Sequence, residues 1–248
     1  MDFLYDINNS IIILKEKLNA LVSNGPIESK TSLKTEFGYY VESYLGLKKN
    51  DLPVADFCGI EIKCRNINTK YPIKLFTCEF DGDGIFLSKE LYNKYAKTLW
   101  KCKKNFYHYF GTCKYTFLKE NIFGKLRVDY KNKKLMLDIV SKGRIIENKY
   151  YWTFNSLYYH LTDKLSYLAI IEYDKLYKAG KYYYKIKNYK LYKLKSFDDF
   201  INMIASGKIV VYFSIDSNFD ENDNETIHNH GIGFYIKKEN IDLLFKEI

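Results

Sequence analysis

Apolar residues recur at helical spacing through residues 8–22, where the run IIIL at 11–14 continues as KEKLNALV, and this pattern predicts an amphipathic helix. A second helix is expected over 37–47 (FGYYVESYLGL), followed by a polar turn at 48-KKND-51 and a strand at 59–65. Alternation or short apolar runs predict further strands at 73–79 and 208–215, and a short one at 231–236. The segments 125-KLRVDY-130 and 134-KLMLDIV-140, separated by KNK, read as a β-hairpin. Helices are expected at 88–99, 153–164, 197–206 and 238–247, a Gly/Asp turn at 81-DGDG-84 and a polar loop at 216–227, while 100–118 gives no clear period. The nearly continuous apolar run 165-LSYLAIIEY-173 suits a strand buried on both faces. Strands mixed with helices in this way indicate an α/β or α+β fold, a mixed β-sheet flanked by helices.

A chain of 248 residues is long enough for one large domain or two small ones with a real core. Only three prolines interrupt it, and there is no 20–50-residue repeat or low-complexity tract, so any second lobe is closely joined to the first. The IIIL run is far too short to span a bilayer, and a soluble protein with no membrane partner is expected. Five cysteines, at 58, 64, 78, 102 and 113, form an odd set without CxxC spacing, which argues against a zinc ribbon. With no signal-like start they suggest a reduced intracellular, cytoplasmic protein.

Charge adds a candidate partner. The 39 basic and 30 acidic residues leave a formal +9 spread along the chain, as on a surface that meets a polyanion, although codon bias in A+T-rich genomes also enriches lysine. Aromatic content is high, with 25 Tyr and 17 Phe. The lysine-interleaved run 181-KYYYKIKNYKLYK-193 reads as a β-segment with packed aromatics on one face and solvated lysines on the other, with phosphate contact or base stacking as the alternative.

The stretch 51-DLPVADFCGIEIKCRN-66 carries candidate chemistry. On a strand, Glu61 and Lys63 face one side while Ile60 and Ile62 face the other, so one face is core and the other is available for catalysis. Asp56, a Phe-Cys-Gly step before the strand, is close enough for its carboxylate to meet that of Glu61. Two such carboxylates repel unless a cation lies between them, and hard oxygen ligands select Mg²⁺. With Lys63 beside them, the parts amount to a phosphodiester hydrolase site. A solvated Glu/Lys strand face is the alternative meaning of the same spacing.

The segment ADFCGIEIK resembles the PD-(D/E)xK nuclease motif in the form used by MutH-like endonucleases, and most closely by the MvaI/BcnI restriction endonucleases, with Ala55 in place of the usual proline. Three further segments agree in order and spacing: 38-GYYVESYL-45, 150-YYWTFNSLYYHLTDKLSYLAII-171 and 226-TIHNHGIGFYI-236. The resemblance implies a restriction-endonuclease-like fold, with a catalytic lobe over 1–100 (150–175 packing on it) and a closely joined DNA-recognition lobe over 176–248. It implies Glu42, Asp56, Glu61 and Lys63 as catalytic residues, Asp56 and Glu61 as the metal ligands, and Mg²⁺ as cofactor. His228, Asn229 and His230 become candidate base readers, not the scattered residues of an HNH nuclease; metal ligation and a turn remain the other meanings of a His pair.

The implied function is that of a type II restriction endonuclease acting on double-stranded DNA as a monomer, one strand at a time, with a companion DNA methyltransferase encoded nearby. A MutH-like mismatch-repair nickase and an inactive DNA-binding module are the alternatives. One departure stands out: where the family carries arginines before and just after the His pair, this chain has 210-VVYFSID-216 and Tyr235. Asn224, Asn229, Lys237, Arg65 or Arg144 are candidate replacements. The acidic run 220-DENDNE-225 is open among a mobile turn, a reader of cytosine amino groups and a second cation site. The DGDG at 81–84 lacks the later ligands of an EF-hand and reads as a turn.

Overall fold

The computed structural model describes residues 6–30, 35–47, 54–99, 103–222 and 224–248. In chain order the elements are α1 (Ile7–Ser23), β1 (Ile27–Glu28), α2 (Glu36–Leu45), β2 (Ile60–Asn66), β3 (Ile73–Thr77), α3 (Gly84–Tyr95), β4 (Lys97–Leu99), β5 (Lys103–Phe110) and β6 (Thr116–Lys119). There follow β7 (Ile122–Asp129), β8 (Lys134–Ser141), β9 (Arg144–Thr153), α4 (Phe154–Leu165), β10 (Tyr167–Lys178), β11 (Lys181–Leu194), α5 (Phe197–Ala205), β12 (Ile209–Phe219), β13 (Glu225–Ile236), a 3-10 turn at Lys238–Asn240, α6 (Ile241–Leu244) and β14 (Phe245–Glu247). The architecture is α+β, as the mixed pattern of the sequence indicates.

The chain divides into two compact units, the first made of 1–71, 162–195 and 245–248, the second of 72–161 and 196–244. This division differs from the 1–100 and 176–248 lobes expected from sequence, and strand pairing is the reason. β11 bonds to β10 and β1, so 181–194 belongs with the strand that carries Glu61, whereas β3 bonds to β13, so 73–77 does not.

In the first unit a mixed sheet runs β1-β11-β10-β2, with β14 also on β11, and β2 is an end strand. Its β10–β2 pair is parallel, placing Ile60 beside Tyr167 and Lys63 beside Ile170, and the other pairs are antiparallel. Helix α1 starts where Asp6 accepts the Asn8 amide at 3.0 Å, and turns Leu14, Leu18 and Leu21 inward. Helix α2 contributes Phe37, Val41 and Leu45, then stops at Gly46, whose φ of 80° suits glycine. These side chains pack on Ile60, Ile62, Ala169 and Ile171 to form one core.

The second unit holds a five-stranded antiparallel sheet, β3-β13-β12-β5-β4, and a four-stranded one, β6-β7-β8-β9. Phe76, Phe80, Phe106, Phe213, Phe234 and Trp152 fill its interior with stacked and edge-on ring contacts.

Several expectations need correction. The helix foreseen at 88–99 starts earlier, because Asp83 caps it by accepting the Phe86 amide at 3.1 Å, and ends at Tyr95. The polar loop foreseen at 216–227 is mostly strand, since β12 continues to Phe219 and β13 starts at Glu225. The terminal helix foreseen at 238–247 shrinks to Ile241–Leu244, because Phe245–Glu247 pairs with β11. The turn at 48–51 lies outside the described residues. Among the described residues, Cys58, Cys64, Cys78 and Cys113 are free thiols, and no helix is long and apolar enough to cross a membrane.

Candidate active site and recognition strand

Asp56 is brought back onto β2 by a two-residue reversal. Phe57 and Ile60 exchange backbone hydrogen bonds of 2.9 Å each way, with Cys58 (φ 44°) and Gly59 (φ 87°) between them in the left-handed region. A turn with two positive φ angles matches the twist of the chain it reverses. Asp56 Oδ2 then accepts the amide of Ile62 at 2.9 Å, fixing the first carboxylate against the strand that bears Glu61 and Lys63.

Glu61 is 1% exposed, which is rare for a carboxylate without compensation. Lys63 Nζ donates to its Oε1. Lys164, in the last turn of α4, places Nζ 3.6 Å from the same oxygen. A cation there is also favoured by the helix dipole. Burial raises the Glu61 pKa to about 6; the Lys63 charge opposes that rise, and the Asp56 charge adds to it. Lys164 is not among the residues that the sequence motifs mark. Its one signal was position: a basic residue at the end of a helix that leads directly into the buried strand alongside β2.

Glu61 Oε2 is buried and has no hydrogen-bond partner. Such an orphaned anionic oxygen, next to a second carboxylate, fits a hard divalent cation, and Mg²⁺ commonly takes one or two protein carboxylates plus water and phosphate oxygens. Among the described residues no three His, Cys, Asp or Glu side chains gather into a metal-binding group. Glu42, half-buried on α2, acts electrostatically on β2: after burial its charge is the largest influence pushing the Cys64 thiol up to about 12. The first unit thus brings Asp56, Glu61 and Lys63 together, adds Lys164, and keeps Glu42 within electrostatic reach of the same strand.

In the second unit His228, Asn229 and His230 are exposed and lie within β13, on a strand and not in a loop. His228 pairs with Asp216 across the β12–β13 ladder, and a bulge follows at Phe213–Ile215. His230 Nε2 lies 3.3 Å from Asp216 Oδ2, an oxygen that also accepts from the Tyr107 hydroxyl. Burial raises the Asp216 pKa, but these hydrogen bonds and the nearby histidines outweigh it and hold the carboxyl below its ordinary range. The Asn229 amide is braced internally: Nδ2 donates to Glu79 Oε1 at 3.3 Å, and Oδ1 accepts the Gly231 amide at 2.9 Å.

Several of the other candidates are occupied within the protein. Asp220 Oδ1 accepts the amides of Asn222 and Asn224 at 2.9 Å each, making a tight turn, and Glu225 accepts from Tyr92, Ser217 and Lys104. Asp223 of that acidic run lies outside the described residues. Arg65 donates to the carbonyls of Tyr71 and Thr69, so it braces its own loop.

The sequence pattern of the MvaI/BcnI restriction endonuclease family matches residues 15–245. No curated protein matches the sequence. Among solved structures, a complex described as restriction endonuclease MvaI with its cognate DNA substrate is 25% identical, covers 96% of this chain and 97% of that chain, and superposes with a TM-score of 0.85. Restriction endonuclease MvaI in the absence of DNA is 24% identical, covers 100% and 99% of the two chains, and gives a TM-score of 0.63, a likeness of fold. The chain belongs to the MvaI/BcnI restriction endonuclease family and is an endodeoxyribonuclease.

Proposed function

We propose that this chain is a type II restriction endonuclease that hydrolyses phosphodiester bonds in double-stranded DNA with Mg²⁺, acting as a monomer and cutting the strands one at a time. The observation that carries the reading is the buried, unpartnered Glu61 Oε2 beside Asp56 and two lysines. When bound, Mg²⁺ would be held by Asp56 and Glu61 and would supply Lewis-acid stabilisation of the phosphate and of the leaving oxygen.

The protein's own groups do the rest. Asp56 is held by the Ile62 amide, so its carboxylate is positioned before substrate arrives. Lys63 places its ammonium beside the buried carboxylate, where it can orient the attacking water and offset charge developing on the phosphate oxygens. Lys164 adds a second positive charge at the same Glu61 oxygen. Glu42 adds negative charge near the same strand, as a member of the catalytic set. His228, Asn229 and His230 read bases from the exposed strand, while scattered lysines position the DNA through its phosphates. A companion methyltransferase encoded nearby and a cytoplasmic location belong to the same reading.

The test is digestion of mixed unmethylated DNA with and without Mg²⁺, with Glu61→Ala as control and the fragment ends sequenced. Discrete ends sharing one short motif, absent from the control, are expected. Random ends, or cutting by the control, would sink the proposal.

A further inference from the structure

The five-stranded sheet of the second unit carries a partly exposed tyrosine surface next to the histidine pair. Along β12, Val211, Phe213 and Ile215 are buried while Tyr212 and Asp216 alternate onto the opposite face. Register places Tyr109 beside Tyr212 and Tyr107 beside Ser214, so these rings share the face of Asp216 and His228. Tyr109 and Tyr212 stack at 4.3 Å, and Tyr235 stands edge-on to both at 6.0 and 5.8 Å. Gly233 makes this possible: a Cβ there would stand 2.5 Å from Cε2 of Tyr235, so only glycine lets that ring lie across the strand.

Position and chemistry both bear on what this surface meets. It is continuous with His228 and His230 through Tyr107, whose hydroxyl binds the same Asp216 oxygen as His230. Tyr107 and Tyr109 remain 41% and 43% exposed, so a ligand can reach them. Because the rings cover one another and the sheet, they offer edges and hydroxyls, not free faces on which a base could stack. The chain has three arginines, Arg65, Arg127 and Arg144, and none is on this sheet, so the commonest bidentate reader of guanine is missing from it. The hydrogen bond to Asp216, with burial, holds the Tyr107 hydroxyl above its ordinary pKa, and burial does the same for Tyr212 and Tyr235, keeping them neutral.

We propose that Tyr109, Tyr212 and Tyr235 form a specificity-determining surface that contacts the 5-methyl group of a pyrimidine in the DNA major groove. An aromatic edge desolvates a methyl group well, while a neutral phenol can bond the O4, N7 or exocyclic amine beside it. Thymine presents that methyl in unmodified DNA and 5-methylcytosine in modified DNA. This inference rests on the reading of the chain as a sequence-specific endonuclease and says which base feature it recognises.

The test is selection of bound duplexes from random pools by the full chain, with Ca²⁺ replacing Mg²⁺ so that DNA stays intact. One pool contains thymine, one uracil in its place, and one 5-methylcytosine in place of cytosine. The expected result is an enriched motif whose affinity falls about fourfold for each contacted methyl lost in the uracil pool. A gain confined to the 5-methylcytosine pool would support the same surface and identify modified DNA as the source. Tyr212→Ala should erase the difference between methylated and unmethylated pyrimidine; the wild-type comparison of pools decides the matter alone if that variant does not fold. No enrichment, or a motif bound equally with and without the methyl, overturns the inference. Mg²⁺-dependent cleavage is measured in parallel, so enrichment without cleavage would count against the nuclease reading and leave the methyl contact standing.

Discussion

Asp56 Oδ2 accepts the Ile62 amide at 2.9 Å, so the strand that carries Glu61 also fixes the carboxylate expected to share its metal. The intervening turn depends on Gly59 at φ 87°. An alanine there meets only Ile7 at ordinary contact distance, which leaves backbone strain as the effect of the change. Gly59→Ala should destabilise the protein by about 1–2 kcal/mol, lowering Tm by roughly 2–8 °C. Cleavage should fall by about tenfold or more as Asp56 shifts. Wild-type cleavage at full Mg²⁺ in this variant would separate the turn from the site.

Glu61→Gln should abolish cleavage and yet raise stability without metal. The folded pKa of about 6 lies above the ordinary 4.5, so the associated stability is complete below pH 4.5 and is lost as pH rises through 6. At pH 7.5 the wild type has lost it and the amide variant has not, a gain of about 1–2 kcal/mol for the variant. Thermal melts in chelator should show this gain at pH 7.5 and not at pH 4.5. Added Mg²⁺ should raise the wild-type Tm and leave the variant unmoved; equal responses would remove Glu61 from the metal site.

Lys164 shares Glu61 Oε1 with Lys63 without being part of the ExK spacing. Lys164→Ala should slow single-turnover cleavage on the order of tenfold while DNA affinity changes less than threefold, and Lys164→Arg should recover part of the rate. A loss confined to affinity would make it a phosphate anchor.

Local pattern made much of the first unit legible. The α1 and α2 stripes and the Asp56 to Lys63 spacing are short-range features whose geometry follows from helix and strand periods. Lys164 was not legible because it reaches Glu61 only through the parallel pairing of β10 with β2, 101 residues along the chain from Lys63. The polar segment 216–219 looked like a loop, yet Ser217 is buried in a strand because its hydroxyl bonds Tyr92 and Glu225. Phe245–Glu247 left the expected helix because β11 offered an edge, a tertiary contact that local propensity does not contain.

Acid sensitivity should come in part from His108. Its ring packs edge-on against Phe106 at 4.8 Å, and burial, with a smaller effect of the Lys97 charge, lowers its pKa from 6.5 to about 4. A depressed folded pKa contributes stability that is present above pH 6.5 and lost as pH falls toward 4, because the unfolded chain takes up the proton first. Partial exposure of the ring reduces the effect to on the order of 2 kcal/mol. Glu61 titrates with the opposite sign over part of this range, so the useful quantity is the difference between wild type and His108→Phe. The wild type should lose roughly 4–8 °C of Tm relative to that variant between pH 7.5 and pH 4. Parallel melting curves for the two proteins would show that His108 stays protonated or solvated in the fold, contrary to its packing.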